Sequence, residues 1–184
     1  YFKSNGYIEN LAFAYKIEKN FKVNDKTIIK SINNFHGLPH RQEVFFSNKI
    51  LTCINDSKAT SFDACKQSLL NYDKIYWIVG GLPKYGDIFN LKKISQKIIK
   101  AYIIGKHTIY FENKVKKYIP YVISNDLKKA VQNIFYDIKK NKYNKVTILF
   151  SPAAASFDQY LSFEERGNHF KKLIVKKIKD ITNV

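Results

Sequence analysis

An α/β fold, with a doubly wound and mostly parallel sheet, is what this sequence of 184 residues predicts. Three observations carry the prediction. Short apolar runs rich in Ile, Val and aromatic residues alternate with segments whose apolar residues recur every three to four positions, the alternation of strands and crossover helices. The runs at 75–79 and 101–104 are apolar throughout, and that at 146–150 at every residue but Thr147, rather than at every second residue, so both faces of those strands must be covered. They end in Gly80-Gly81, Gly105 and Ser151-Pro152, residues that break a strand and open a turn.

Taken in order, Ile8, Leu11, Ala12 and Tyr15 recur at helical spacing and predict an amphipathic helix over 7–19. A second, short helix carries Ile28, Ile29, Ile32 and Phe35, with Asn24 or Asp25 as its N-cap. His36-Gly37-Leu38-Pro39 stops it, because Gly accepts the turn and Pro cannot continue a helix. A boundary between a helical unit, 1–36, and an α/β domain, 37–184, is expected there. Residues 43–46 and 50–54 are strand-like runs around Ser47-Asn48-Lys49, a hairpin. Strands follow at 75–79, 101–104, 121–123 and 146–150. Between them the clearest helix uses Leu127, Ala130, Val131, Ile134, Phe135 and Ile138 behind Asp126 as N-cap. A last helix carries Phe170, Leu173, Ile174, Ile178 and Ile181. The sum is a Rossmann-like domain with a hairpin at its start.

Composition excludes several classes. An apolar content of 45% is too high for disorder. No apolar run approaches the roughly 18–20 residues of a membrane span, and no signal-peptide core opens the chain. A cytoplasmic protein without membrane partners is therefore expected. The chain contains no Met, which predicts a segment of a longer protein. The net charge is +17, yet all but Arg41 and Arg166 of the 32 basic residues are Lys. Abundant Lys, Ile, Asn, Tyr and Phe follow from A- and T-rich codons, whereas a nucleic-acid reader uses the forked guanidinium for base and phosphate contacts. No nucleic-acid partner is expected; a basic α/β module binding RNA or acidic partners is the alternative. Cys53 and Cys65 fall in a strand pattern and a helix pattern, with no further Cys to frame a disulfide network or a zinc knuckle. His36 and His40 have the i, i+4 spacing of a helical metal pair, but Gly37 and Pro39 forbid the helix, so no metal site is expected.

In an open parallel sheet, ligands sit outside the carboxyl ends of the strands. Three clusters occupy those ends: residues 55–60 (Asn-Asp-Ser-Lys-Ala-Thr), residues 80–84 (Gly-Gly-Leu-Pro-Lys) and residues 151–158 (Ser-Pro-Ala-Ala-Ala-Ser-Phe-Asp). They offer two Lys, several hydroxyls and small residues that admit a ligand to backbone N–H groups. That mixture suits an anion carrying phosphate or carboxylate.

With Gly37-Leu38-Pro39-His40-Arg41 before them and Phe163-Glu164-Glu165-Arg166-Gly167 after them, these clusters resemble, in order and spacing, the C-terminal half of the D-glutamate-adding Mur ligases. The resemblance covers nearly the whole chain, and it implies that 1–36 are the last helices of that family's central ATP-binding domain and 37–184 its C-terminal domain. It further implies an ATP-dependent ligase that joins D-glutamate to UDP-N-acetylmuramoyl-L-alanine through an acyl phosphate in peptidoglycan synthesis. Both steps pass through crowded anionic states, which call for fixed cations and donors rather than a protein nucleophile. Carried over by position, Arg41 reaches the ATP phosphates and Lys58 the reacting centre. Asn10, His40 and Asp56 face the nucleotide. Thr60, Lys84, Ser156 and Phe157 hold the D-glutamate carboxylates, and Phe163 walls their pocket. Arg166 reads as a structural ion pair with its two neighbouring Glu.

ATP and Mg2+ are the implied cofactors, and a monomer acting on D-glutamate, UDP-N-acetylmuramoyl-L-alanine and ATP is the implied assembly. The metal ligands and the phosphate loop are expected in an N-terminal part, since no GxxxxGK[ST] occurs in the chain; the segment alone is expected to fold without turning over ATP. A hinge is expected near His36-Gly37. The sequence departs from the family pattern at Tyr7, where an Asn is usual, at Leu82 in place of an acid, and at Pro83 in place of Gly. Ser61 stands in place of Asn and Ala154 in place of Cys. A sibling ligase with another amino-acid substrate is the second alternative, against which residues 55–60 and 151–158 speak.

Overall fold

The computed structural model describes residues 5–141 and 145–182, and the chain divides into two compact units, Tyr1–Leu38 and Pro39–Val184. In the first unit, α1 (Asn5–Asn20) and α2 (Asp25–Asn34) are joined by a short turn. Of the two candidate caps for α2 it is Asn24 that serves, its side-chain oxygen accepting the Thr27 N–H at 2.9 Å and so satisfying one of the four orphan donors of the helix start. Asp25 instead accepts from the Tyr15 hydroxyl at 3.2 Å and the Lys19 ammonium at 3.1 Å, tying the two helices together.

The second unit contains β1 (Glu43–Ser47), β2 (Leu51–Asn55), α3 (Phe62–Asn71), β3 (Ile75–Gly80), β4 (Ile98–Ile104), α4 (Thr108–Val115), β5 (Tyr121–Asn125), α5 (Leu127–Asn141), β6 (Val146–Phe150) and α6 (Phe163–Thr182). The strands form one six-stranded sheet in the order β1-β2-β6-β3-β4-β5. Among the described strands the β1–β2 hairpin is antiparallel and every other pair is parallel. The hairpin turn is set by Asn48, whose side-chain oxygen accepts the N–H groups of Ile50 and Leu51 at 2.9 and 2.8 Å.

Alternation along the strands sends side chains to two separate cores. Ile54, Trp77, Val79, Ala101, Ile103 and Leu149 pack with Phe62, Cys65 and Leu69 of α3 and Phe111 and Val115 of α4. Cys53, Tyr76, Ile78, Tyr102, Ile148 and Phe150 pack on the opposite face with Leu127, Ala130, Val131 and Ile134 of α5 and Phe170 and Ile174 of α6. The sheet is thus covered on both sides, as the continuous apolar runs require. Both Cys are free and buried, and burial pushes the Cys53 thiol up to about 12.

Two helices go beyond those read from the sequence, α3 and α4, and β4 begins at Ile98 rather than at Ala101. Lys100 looks like a strand breaker in an apolar run. Its ammonium, however, meets the Asp137 carboxylate at 2.7 Å, and Tyr102 donates its hydroxyl to the same oxygen at 2.7 Å, so the strand carries the charge toward α5 without leaving it unpaired.

Candidate active site at the carboxyl rim of the sheet

β2, β6 and β3 are parallel neighbours, with Asn55 and Ile78 both in register with Phe150. The loops that follow them therefore leave from one rim, side by side. Backbone bonds stitch them together: the Asp56 N–H donates to the Phe150 carbonyl at 2.7 Å and the Gly80 N–H to the Pro152 carbonyl at 2.9 Å. Leu82 and Ala155 pair as an antiparallel bridge with bonds of 3.0 and 2.9 Å. The segment leading to Lys84 and the segment leading to Ser156 thus run as a short ribbon past the end of the sheet.

Beneath the ribbon lies Arg166, on the inward face of α6 and 1% exposed. Its Nε donates to the Ser57 hydroxyl at 3.1 Å, and its Nη2 donates to the carbonyls of Ser57 and Ala154, each at 2.9 Å. Its Nη1 is buried without a hydrogen-bond partner among the described residues. That nitrogen lies against Gly81: a methyl group at Gly81 would come within 3.1 Å of it and 2.5 Å of the Ala155 carbonyl oxygen, at a backbone φ of +137°. Gly is required there on both counts. Burial lowers the Arg166 pKa to about 10, against the charges of Asp158 and Tyr160, and the guanidinium stays charged at neutral pH.

The expectation that Arg166 pairs with Glu164 or Glu165 is corrected. Its partners are neutral groups on two loops. Glu165 instead turns back to accept the Leu161 N–H at 2.8 Å, and Ser162 accepts the Glu165 N–H at 3.1 Å, the reciprocal pattern of a helix start. The sequence held a signal for Arg166: in a chain that uses Lys almost everywhere, an Arg marks a place where a flat, five-donor fork is needed.

Asp56 begins the loop after β2. Read from sequence as facing the nucleotide, its carboxylate is 5% exposed and spent on protein donors: the Gln42 N–H at 3.1 Å, the Ser68 hydroxyl at 2.5 Å and the Ser151 hydroxyl at 2.7 Å. Burial raises its pKa to about 6, opposed by those hydrogen bonds and by the charge of Arg41. His40 is likewise turned inward. It sits at φ +62°, its Nδ1 lies 2.9 Å from the Asn55 amide nitrogen, and its ring meets Phe163 edge-on at 5.9 Å. Burial, then the Lys171 charge, lowers its pKa, so the neutral ring is favoured and accepts the Asn55 N–H. Asp56 and His40 therefore hold the loop that carries Arg41, which itself is exposed.

Lys58 donates its backbone N–H to the His40 carbonyl at 3.1 Å and carries its ammonium 3.9 Å above the centre of the Phe163 ring, a cation–π distance. Thr60 and Lys84 are exposed on their loops; the Tyr110 hydroxyl donates to the Lys84 carbonyl at 3.3 Å. Ser156 is 2% exposed, and its neighbour Phe157 is 70% exposed. Lys58, Thr60, Lys84, Ser156, Phe157 and Phe163 are thus on adjacent segments at one rim, while Asn10 lies on α1 in the other unit, exposed. No cluster of three or more His, Cys, Asp or Glu that could hold a metal occurs among the described residues. A separate apolar groove, lined by Phe46, Ile50, Phe135, Ile138 and Ile178, lies toward the amino end of β2. Among the described residues no helix is long and apolar enough to cross a membrane.

No protein-family model matches the chain. Curated relatives do. UDP-N-acetylmuramoylalanine–D-glutamate ligase of the Wolbachia of Brugia malayi is 42% identical over 91% of this chain and 34% of that protein. The enzyme of the same name from Rhizobium meliloti is 40% identical over 80% of this chain and 32% of its own length. That from Rickettsia felis is 37% identical over 95% of this chain and 39% of its own length. The chain spans about a third of the length of the curated relatives it matches. By sequence the chain is similar, over most of its own length, to the C-terminal portion of UDP-N-acetylmuramoylalanine–D-glutamate ligases.

Proposed function

We propose that this chain is the D-glutamate- and ATP-contacting portion of a ligase that adds D-glutamate to UDP-N-acetylmuramoyl-L-alanine. The single observation that supports this most is the convergence of three loops at one rim, held by the Leu82–Ala155 bridge and the Arg166 fork. Convergence of that kind turns separate cations and hydroxyls into one site for a small dianion.

In this reading the muramoyl-alanine carboxylate attacks the γ-phosphorus of ATP, the bond to ADP breaks, and an acyl phosphate forms. The D-glutamate amine then attacks the acyl carbon; the C–N bond forms, the C–O bond to phosphate breaks, and the amine gives up a proton as phosphate leaves. Lys84, Thr60 and Ser156, with the backbone N–H groups around Ser156 and Phe157, hold the two D-glutamate carboxylates. Phe163 walls the pocket. It also holds the Lys58 ammonium over its face, directed toward the centre where negative charge gathers. Arg41 forks onto the ATP phosphates, and Asp56 and His40 position the Arg41 loop. Magnesium would screen the phosphates in such a reaction; the described residues offer it no ligand cluster, and no step is assigned to it. The ligase acts in the cytoplasm as a monomer, without nucleic-acid or membrane partners.

Phosphate release from ATP and UDP-N-acetylmuramoyl-L-alanine, by a ligase carrying this chain, is the direct test. It should require D-glutamate and be unsupported by L-glutamate, L-lysine or diaminopimelate. Turnover with one of those in its place would assign the site to a sibling activity.

A further inference from the structure

We infer that Arg166 is a specificity-determining positioning residue, setting the spacing between the two carboxylate-holding loops and so the length of dicarboxylate the site accepts. The inference rests on the proposed function and goes beyond it, because Arg166 does not touch a substrate in that reading. It is 1% exposed and lies beneath the rim.

Three loops supply the anion-holding groups, and one guanidinium reaches all three. Two of its nitrogens bond Ser57, which directly precedes Lys58 and lies three residues from Thr60. Nη2 also bonds Ala154, two residues before Ser156. Nη1 lies against Gly81, three residues before Lys84. Any change in how the fork sits therefore moves Thr60 relative to Ser156, and both relative to Lys84. A planar guanidinium fixes these distances in a way that a single ammonium point cannot. Two carboxylates separated by the side chain of glutamate need one such spacing, and those of aspartate, one methylene shorter, need another.

The test uses a ligase carrying this chain, with Arg166→Lys, Ser57→Ala and Lys84→Ala compared under one protocol. Arg166→Lys should raise the D-glutamate KM by roughly tenfold or more, the scale of one charged hydrogen bond, and leave the ATP KM within about twofold. Its preference for D-glutamate over D-aspartate in kcat/KM should fall by a similar factor. Ser57→Ala removes the acceptor of a single bond and should move both quantities in the same direction by less, so it decides the matter if Arg166→Lys does not fold. Equal losses toward both substrates, or an unchanged D-glutamate/D-aspartate ratio in folded variants, would overturn the positioning role. Lys84→Ala separates the two levels. If it raises the D-glutamate KM while Arg166→Lys and Ser57→Ala do not, only this inference falls. If it leaves the D-glutamate KM unchanged, the site reading falls and takes the inference with it.

Discussion

At the scale of single residues, two buried ionisable groups organise the rim, and their charges have opposite consequences. Asp56 binds its proton more tightly in the folded protein, with a pKa of about 6 against an ordinary 3.8. Between those values the folded state holds more protons than the unfolded one, so the contribution of Asp56 to stability declines as pH rises through that window. The total decline is on the order of 2–3 kcal/mol. Asp56→Asn cannot titrate. The stability difference between wild type and this variant, from urea melts at pH 4, 5, 6 and 7, should therefore shrink for the wild type across the series and level off above about pH 6. A difference that stays flat with pH would show that Asp56 titrates normally. Arg166 was the harder residue to place from sequence. Its position beside two Glu suggests a structural ion pair with them, and only burial on the inward face of α6 reveals that it serves the loops instead.

At the scale of elements, the legible ones were those whose burial is written in large apolar residues. β3 and β6 are buried at every position, and their apolar runs said so; α5 shows its buried face as Leu127, Ala130, Val131 and Ile134. The helices that were not named from sequence bury a less telling set. α3 hides Phe62, Cys65, Ser68 and Leu69, and Ser68 is inside because its hydroxyl serves Asp56. α4 has eight residues, buries Phe111 and Val115, and lacks a side-chain cap bond at His107. The packing of α6 also reverses an ordinary rule. Gly to Ala inside a helix usually stabilises by about 1 kcal/mol, but a methyl at Gly167 would collide with His40 Nδ1 and come within 2.9 Å of Asn55 Oδ1. Gly167→Ala should therefore destabilise by about 1–3 kcal/mol, read as a lower urea midpoint with an unchanged slope. An equal or higher midpoint would mean that the His40 loop is free to yield.

At the scale of the whole molecule, the topology brings to one rim candidate residues that are dispersed in sequence. The groups lie at 58–60, 84 and 156–163, and nothing local links them. Continuous apolar strands predict a parallel sheet, and a parallel sheet delivers the loops after its strands to one rim. The strand order then does what no local pattern can encode. β6, last in the chain, inserts between β2 and β3 and brings the loop of Ser156 between those of Lys58 and Lys84. The net charge of +17 told less, because most of its Lys residues lie on exposed surface. The central claim is that this rim holds an amino-acid dianion by Lys84 and its neighbours. Steady-state kinetics of Lys84→Ala, in a ligase carrying this chain, tests it most directly. The D-glutamate KM should rise by roughly tenfold to a hundredfold, as expected for loss of a charged hydrogen bond to a bound carboxylate, with the ATP KM nearly unchanged. An equal rise in both constants, or none in that for D-glutamate, would contradict it.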